Sequence, residues 1–231
     1  MTPDTAMLFA AGRGTRMRHL TDDRPKPLVQ VAGRPLIDHA LDHLVAAGVR
    51  RVVVNTHYLG DRIEAHLATE RRVDIAISRE EGVLLETGGG LRHAAPLLGR
   101  APVWTLNPDA VWRGPNPLLA MSGTVPGGAR LLLVPRERAQ GHEGPGDFFL
   151  EPDDRLRRRG AAASAPYVYT GLQIVDPAPV VAVGQAAFSL NVAWDAMLAQ
   201  GRLFGAVYDG AWCDVGQPES IPLAEGLLAH V

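Results

Sequence analysis

The chain has 231 residues, a formal net charge of −2, 46% hydrophobic residues and 21% charged residues, which is typical of a globular protein. The slightly acidic balance argues against a dedicated nucleic-acid-binding protein, because such proteins are usually clearly basic. The single cysteine, Cys213, excludes an internal disulfide bond and favours a reducing compartment. No apolar run approaches the ~18 residues of a membrane helix, and the first residues lack a signal-peptide pattern. We therefore expect a cytoplasmic protein with neither membrane nor nucleic-acid partners.

Strand and helix patterns alternate along the first part of the chain. An apolar run at residues 7–11 predicts a buried strand, and residues 35–48 predict a helix that begins with proline and ends with glycine. The β-branched run at 51–56 predicts a second strand, residues 60–68 a second helix, and the alternating segment 73–78 a third strand. This alternation indicates a parallel, doubly wound sheet.

The second part continues the pattern with less regular segments. The predicted strands cover residues 102–107, 129–135, 167–175, 203–208 and 212–215, and the predicted helices cover residues 192–200 and 218–229. The glycines of LETGGG are predicted to lie in a loop that leads into a helix ending near Gly99. The turn-rich segment 136–165 predicts a β-hairpin with residues 148–150 as one arm. We expect one domain over residues 1–231: a Rossmann-like three-layer α/β sandwich with a doubly wound, mostly parallel sheet and a small hairpin extension on the substrate side.

The stretch after the first strand has the features of a phosphate-binding corner. Gly12 and Gly14 form a turn that leaves the backbone open to a ligand. Arg16 and Lys26 add positive charge, and a proline on each side of the lysine restricts its backbone. An ordinary glycine turn would leave these cations and the paired prolines unexplained.

Two common phosphate-binding motifs do not fit this corner. A dinucleotide-binding turn needs a third glycine, where this chain has Met17, and an acidic residue after the second strand, where it has Asn55 and Thr56. A P-loop needs a Gly-Lys-Ser/Thr sequence, which does not follow here. The corner therefore serves another kind of phosphate chemistry.

The stretch LFAAGRGTRMRHLTDDRPKPL resembles the signature of the sugar-nucleotide pyrophosphorylases, the nucleotidyltransferases that activate sugar 1-phosphates. It departs from that signature at His19, where the family usually has proline. Further matches are Gly33-x-Pro35-Leu36-Ile37, the LETGGG segment, Asn107-x-Asp109, Gly146-Asp147-Phe148, Thr170-Gly171 and Trp212-x-Asp214-Val215-Gly216. Within the family, the chain is most similar to the branch of compact bacterial enzymes that transfer UMP to N-acetylmuramic acid 1-phosphate.

The resemblance implies a nucleotidyl transfer in peptidoglycan recycling. A sugar 1-phosphate oxygen would attack the α-phosphorus of a nucleoside triphosphate, with UTP favoured, and pyrophosphate would leave. Because the nucleophile is already ionised, the protein must mainly bring two anions together and stabilise their charge. We expect a nucleotide-binding part at about residues 1–112, a sugar-phosphate-binding part at about 113–231, and a monomer or weak homodimer. The alternatives are a mannose-1-phosphate guanylyltransferase or other hexose-1-phosphate nucleotidyltransferase, and a non-catalytic regulator that binds nucleotide sugars.

The resemblance also implies the site residues. The predicted catalytic residues are Arg16, Lys26 and Asp109, and the predicted ligands of Mg²⁺ are Asp109 and Asp214. This ion favours one or two carboxylates together with phosphate oxygens. The predicted nucleotide-binding residues are Ala11, Gly12, Arg13, Gly14, Thr15, Lys26, Glu86, Thr87 and Gly88. The predicted sugar-phosphate-binding residues are Asn107, Asp147 and Gly171. Many relatives carry a further lysine in a Glu-Lys-Pro setting, where this chain has only Glu151-Pro152.

Overall fold

A nine-stranded sheet with helices on both faces organises the chain. The structure is a computed structural model that describes residues 2–121, 123 and 125–229. Within those residues, no helix is long and apolar enough to cross a membrane.

The elements are numbered in chain order. The strands are β1 (Thr5–Phe9), β2 (Gln30–Val31), β3 (Arg34–Pro35), β4 (Arg51–Thr56), β5 (Asp74–Arg79), β6 (Val103–Leu106), β7 (Ala110–Arg113), β8 (Ala129–Pro135), β9 (Ala139–Gln140), β10 (Phe148–Leu150), β11 (Leu156–Arg158), β12 (Tyr167–Val175), β13 (Leu203–Val207) and β14 (Ala211–Asp214). The helices are α1 (Leu36–Ala46), α2 (Gly60–Leu67), α3 (Glu86–Leu98), α4 (Pro177–Val181), α5 (Leu190–Ala199) and α6 (Ile221–Ala229). Short 3₁₀ segments lie at Thr15–Thr21, Lys26–Leu28, Arg136–Arg138 and Pro218–Ser220.

The order of the main sheet brings two strand ends together. Its strands follow the order β11-β10-β12-β6-β1-β4-β5, and β8 pairs with β12 and β13. β1 runs parallel to β4 and β6, and β4 runs parallel to β5, whereas β12 joins β6 in the antiparallel sense. The glycine corner follows β1 and Asp109 follows β6, so the two lie at the same edge of the sheet, where ligands of α/β sheets bind.

The central strands are apolar because both faces of the sheet are covered. Along β1, Ala6 and Leu8 belong to a buried cluster that includes Ile37 of α1, whereas Met7 belongs to a cluster that includes Leu91 of α3. Strands buried on both faces appear as continuous apolar runs. The predicted Rossmann-like α/β sandwich is confirmed.

The predicted strands and helices are present, with ends that differ by a few residues, as expected for element boundaries. The hairpin is also confirmed, since β10 and β11 pair antiparallel with Phe148 opposite Arg158.

The sequence prediction omitted β7, which pairs with β14 in a second sheet of order β7-β14-β9. This four-residue strand is too short to show a period. The division into a nucleotide part and a sugar-phosphate part within one domain stays a prediction.

The prediction of a loop through residues 86–90 is wrong, because α3 begins at Glu86 and contains all three glycines. These glycines permit close packing rather than a turn. A Cβ on Gly88 would overlap the Phe188 ring, one on Gly89 would lie 2.6 Å from the Ala186 carbonyl oxygen, and one on Gly90 would lie 2.7 Å from a carboxylate oxygen of Glu80.

Gly89→Ala should therefore destabilise the protein. Alanine favours a helix over glycine by about 1 kcal/mol, but overpacking against backbone costs about 1–3 kcal/mol, so we expect a net loss in urea unfolding. The matched control is Gly226→Ala in α6, where a Cβ would meet no described atom within 4 Å; it should stabilise by about 0.4–1 kcal/mol. A Gly89→Ala protein as stable as wild type would contradict this packing argument.

Candidate active site

A cavity of about 320 Å³ opens at the carboxyl ends of β1, β4 and β6. The predicted site residues that line it are Ala11, Gly12, Gly14, Thr15, Arg16, Lys26, Glu86, Thr87, Asn107 and Asp109. The predicted residues outside its lining are Arg13, Gly88, Asp147, Gly171 and Asp214. The sequence prediction missed other lining residues, among them Asn55, Leu84 and Gly216.

The glycine corner is closed on one side and open on the other. Gly14 has φ +63°, and a Cβ there would lie 2.7 Å from the Lys26 Cβ. Its carbonyl oxygen accepts hydrogen bonds from the Met17 amide (2.8 Å) and the Thr21 hydroxyl (3.1 Å). A Cβ on Gly12, in contrast, would meet no described atom within 4 Å. The corner can therefore approach a ligand at Gly12 while Gly14 makes room for the lysine.

Lys26 is held in place by its backbone and by an ion pair. It begins the 3₁₀ segment Lys26–Leu28, in which the Val29 amide donates to the Lys26 carbonyl oxygen (3.0 Å). Its Nζ lies 2.7 Å from Asp109 Oδ2, and the two side chains are only 11% and 27% exposed. Pro25 and Pro27 are buried on either side. A rigid positive charge beside a carboxylate thus forms one wall of the cavity.

Asp214 lies next to Asp109 because β14 pairs with β7. Asp214 is opposite Ala110, and the Val215 amide donates to the Asp109 carbonyl oxygen (2.7 Å). Burial and the negative charge of Asp109 raise the pKa of Asp214 to about 6, while Lys26 and Arg16 act in the opposite direction. Two carboxylates and two cationic side chains therefore interact electrostatically at this edge of the sheet.

Gly216 lines the cavity between Asp214 and Arg16, and its lack of a side chain leaves room for both. A Cβ on Gly216 would lie 2.9 Å from Asp214 Oδ2 and 3.0 Å from Arg16 Nη1. Asp214 is therefore only one small residue behind the cavity wall.

The carboxylates of Asp109 and Asp214 fit a divalent metal ion. Their oxygens are hard donors of the type that Mg²⁺ prefers, and burial together with the negative charge of Asp109 makes the ionised form of Asp214 unfavourable without a further cation. The described residues contain no cluster of three or more His, Cys, Asp or Glu that could hold a metal. A metal ion here would complete its shell with phosphate oxygens and water, as Mg²⁺ usually does.

The wall across from the glycine corner is formed by the start of α3. Glu86 is exposed, with φ +59°, and lines the cavity. The Thr87 hydroxyl accepts a hydrogen bond from the Leu190 amide (2.9 Å), which ties α3 to α5. Gly88 lies behind the wall, where its amide donates to the Phe188 carbonyl oxygen (2.8 Å).

The predicted sugar-side residues are divided between the cavity and the strand behind it. The Asn107 backbone amide donates to the Gly171 carbonyl oxygen (3.0 Å). Gly171 has φ +88°, and a Cβ there would lie 3.0 Å from the Asn107 Cβ. Asp147 accepts a hydrogen bond from the Tyr169 amide (2.9 Å). Burial raises the pKa of the Tyr169 hydroxyl, which also hydrogen-bonds to Thr105. Only Asn107 of the predicted three contacts the cavity directly.

Comparison with known proteins identifies the family. The family profile described as "Nucleotidyl transferase" matches residues 5–121. The chain belongs to this family. This nucleotidyl transferase is 42% identical to the N-acetylmuramate alpha-1-phosphate uridylyltransferase of Caulobacter vibrioides, covering 99% of this chain and 98% of that protein. The corresponding enzyme of Neisseria meningitidis is 36% identical over 91% and 92% of the two chains. The mannose-1-phosphate guanylyltransferase catalytic subunit beta of Xenopus tropicalis is 29% identical, and only 61% of it is covered.

Solved structures share the fold of this nucleotidyl transferase. The inositol-1-phosphate CTP transferase from T. maritima has a TM-score of 0.77 at 17% identity and covers 100% of this chain; 98% of its own chain is matched. HddC from Yersinia pseudotuberculosis, complexed with GMP-PN, has a TM-score of 0.77 at 18% identity over 97% and 99% of the two chains. At these identities the comparison establishes the fold alone.

The raised pKa of Asp214 predicts how the stability of the metal-free protein depends on pH. Because the folded-state pKa is about 6, above the ordinary 3.8, the folded state binds more protons than the unfolded state between these values. Its free energy of unfolding should therefore fall as pH rises from about 4 through 6. Asp214→Asn removes the unfavourable negative charge of the buried side chain. At pH 7.5 in EDTA the variant should therefore be more stable than wild type by roughly 1–3 kcal/mol.

Thermal unfolding across pH 4 to 8 measures this difference, at about 2–4 °C for each kcal/mol. The control is Asp209→Asn, an exposed aspartate before β14, which should change the melting temperature little. An Asp214→Asn protein that is less stable than wild type at pH 7.5 would contradict the electrostatic description of the site.

Proposed function

We propose that this nucleotidyl transferase is a Mg²⁺-dependent enzyme that transfers UMP from UTP to N-acetylmuramic acid α-1-phosphate in peptidoglycan recycling. The observation that carries the nucleotidyl-transfer activity is the convergence of Lys26, Arg16, Asp109 and Asp214 beside the open glycine corner. The choice of substrates is supported by two uridylyltransferases that match nearly the whole chain at 42% and 36% identity.

The reaction needs positioning and charge stabilisation more than proton transfer. An oxygen of the sugar 1-phosphate forms the new bond to the α-phosphorus of UTP, while the bond to the bridging oxygen of pyrophosphate breaks. The attacking oxygen is ionised at neutral pH, so no general base is required. Binding two polyanions side by side in the correct geometry is therefore the main task of the protein.

The residues of the glycine corner would bind the triphosphate. The backbone at Gly12 is open to close approach, and Arg16 and Lys26 supply positive charge on the same side of the cavity. Lys26 is already fixed by its flanking prolines and by Asp109, so little side-chain entropy remains to be lost when it binds a phosphate. Asp109 and Asp214 would hold Mg²⁺, which neutralises phosphate charge when bound.

The sugar 1-phosphate would enter from the side of Asn107. This residue lies next to Asp109 in the cavity, and its backbone is fixed by Gly171. Asp147 precedes β10, on the far side of β12 from Asn107, and its carboxylate accepts a hydrogen bond from the Tyr169 amide. We propose Asn107 as a direct sugar-side contact and Asp147 as the residue that orients the β12 segment next to it.

A guanylyltransferase acting on mannose 1-phosphate is the second candidate. It is supported by the 29% identical relative, of which the chain covers only 61%. A non-catalytic regulator is less consistent with the site, because a binding protein would not need two adjacent carboxylates together with Lys26.

We further propose that the enzyme acts in the cytoplasm, where UTP is available, as a monomer or weak homodimer.

Pyrophosphate release across a panel of nucleoside triphosphates and sugar 1-phosphates tests the proposal. We expect the highest kcat/KM with UTP and N-acetylmuramic acid α-1-phosphate, loss of turnover in EDTA, and recovery when Mg²⁺ is added. Turnover with GTP and mannose 1-phosphate alone would replace this proposal by the second candidate. Absence of turnover with every pair would contradict an enzymatic function.

A further inference from the structure

Two buried polar side chains connect the opposite walls of the cavity, and no predicted site residue explains them. Glu80 follows β5 and is only 4% exposed, and Asn55 in β4 is 3% exposed. Asn55 Nδ2 donates to one carboxylate oxygen of Glu80 (2.6 Å), and the Leu85 amide donates to the other (2.9 Å). Asn55 Oδ1 accepts a hydrogen bond from the Ala10 amide (2.8 Å). We call these four groups the Asn55–Glu80 relay.

Both ends of the relay belong to the walls of the proposed nucleotide site. Ala10 lines the cavity and directly precedes the glycine corner. Leu85 stands between Leu84 and Glu86, which both line the opposite wall. The relay therefore links, by hydrogen bonds, the segment before the glycine corner to the segment before α3.

The direction of the hydrogen bonds requires one amide and one carboxylate. An amide side chain has one accepting oxygen and one donating NH₂ group, whereas an ionised carboxylate only accepts. Because both ends of the relay are backbone N–H donors, two amides would leave NH₂ facing a donor, and two carboxylates would bring oxygen against oxygen. Among amides and ionised carboxylates, only a pair of one of each satisfies every group.

The third glycine of α3 makes room for this pair. A Cβ on Gly90 would lie 2.7 Å from the Glu80 carboxylate and 2.9 Å from Asn55 Nδ2. The buried carboxylate thus fits against the helix because this position is glycine, although glycine disfavours a helix. The relay is thus built into three separate segments of the chain.

We propose that Glu80 is a positioning residue which, through Asn55, holds the two walls of the nucleotide cavity at the separation that UTP requires. This inference rests on the proposed function and concerns UTP binding. It assigns no contact between Glu80 and the substrate. Disturbing the relay should weaken UTP binding more than binding of the sugar 1-phosphate, which enters from the side of Asn107.

Isosteric exchanges test the relay by changing its donors, acceptors and charge while keeping its shape, and the double variant also keeps the net charge, which matters because Asn55 itself lines the cavity. Glu80→Gln and Asn55→Asp should each raise the KM for UTP by about ten- to hundredfold, as expected when a buried polar group loses its partner. The KM for the sugar 1-phosphate should change by no more than about twofold. The double variant Asn55→Asp/Glu80→Gln restores one carboxylate and one amide in reversed order, and it should return the KM for UTP to within a few-fold of wild type.

The matched control is Glu64→Gln. Glu64 also joins the ends of β4 and β5, through Thr56 (3.4 Å) and Arg79 (2.7 Å), but it does not line the cavity. It should leave the KM for UTP unchanged. Melting temperatures and calorimetric titration with UTP should accompany the kinetics of every variant.

The outcomes separate the relay from the proposed function. With a wild type that turns over, an unchanged KM for UTP in Glu80→Gln, or a double variant as impaired as the single variants, would overturn the relay and leave the proposed function intact. A lower melting temperature with unchanged UTP affinity would also overturn it, since the role would then be structural only. If the single variants do not fold, a double variant that folds and binds UTP supports the relay, and one that does not fold overturns it.

Discussion

The ion pair between Lys26 Nζ and Asp109 Oδ2, 2.7 Å long, is the interaction on which the site depends. It joins the segment after β1 to the end of β6, and the Val215 amide adds β14 by donating to the Asp109 carbonyl oxygen. A largely buried ion pair is costly to form, and removing one partner leaves an unpaired charge. Gly14 must lack a Cβ because Lys26 passes so close to it. The segment from the glycine corner to Lys26 therefore forms one electrostatic unit with Asp109 and Asp214, which lie far along the chain.

Within that unit, the negative charge of Asp214 is unfavourable. Lys26 is paired with Asp109, whereas burial, and after it the negative charge of Asp109, raises the pKa of Asp214 to about 6 against the opposing effect of Lys26 and Arg16. A divalent cation would balance the two carboxylates, and a triphosphate would balance the cations. The same geometry therefore explains why the metal-free protein carries electrostatic strain and why it would bind a metal together with a polyanion.

Local sequence signals predicted the fold, and the family resemblance supplied the candidate site residues. Lys26 stood out because a proline on each side restricts its backbone, whereas Asp109 was named by the resemblance, and the structure places their charged atoms 2.7 Å apart. The helical glycines were not predicted, since Gly88 and Gly89 pack closely against Phe188 and Ala186, far along the chain, and Gly90 against the Asn55–Glu80 relay. The Asn55–Glu80 relay was also missed, because its hydrogen bonds join residues that only the paired strands bring together.

A crystal structure with UTP and Mn²⁺ in place of Mg²⁺ tests the central claim most directly, because anomalous scattering locates the metal. The account predicts a metal peak about 2.0–2.3 Å from carboxylate oxygens of both Asp109 and Asp214, with phosphate oxygens completing its shell. It also predicts the Lys26 ammonium within hydrogen-bond distance of the triphosphate. A metal bound away from both carboxylates, or a triphosphate that leaves Lys26 uncontacted, would contradict it.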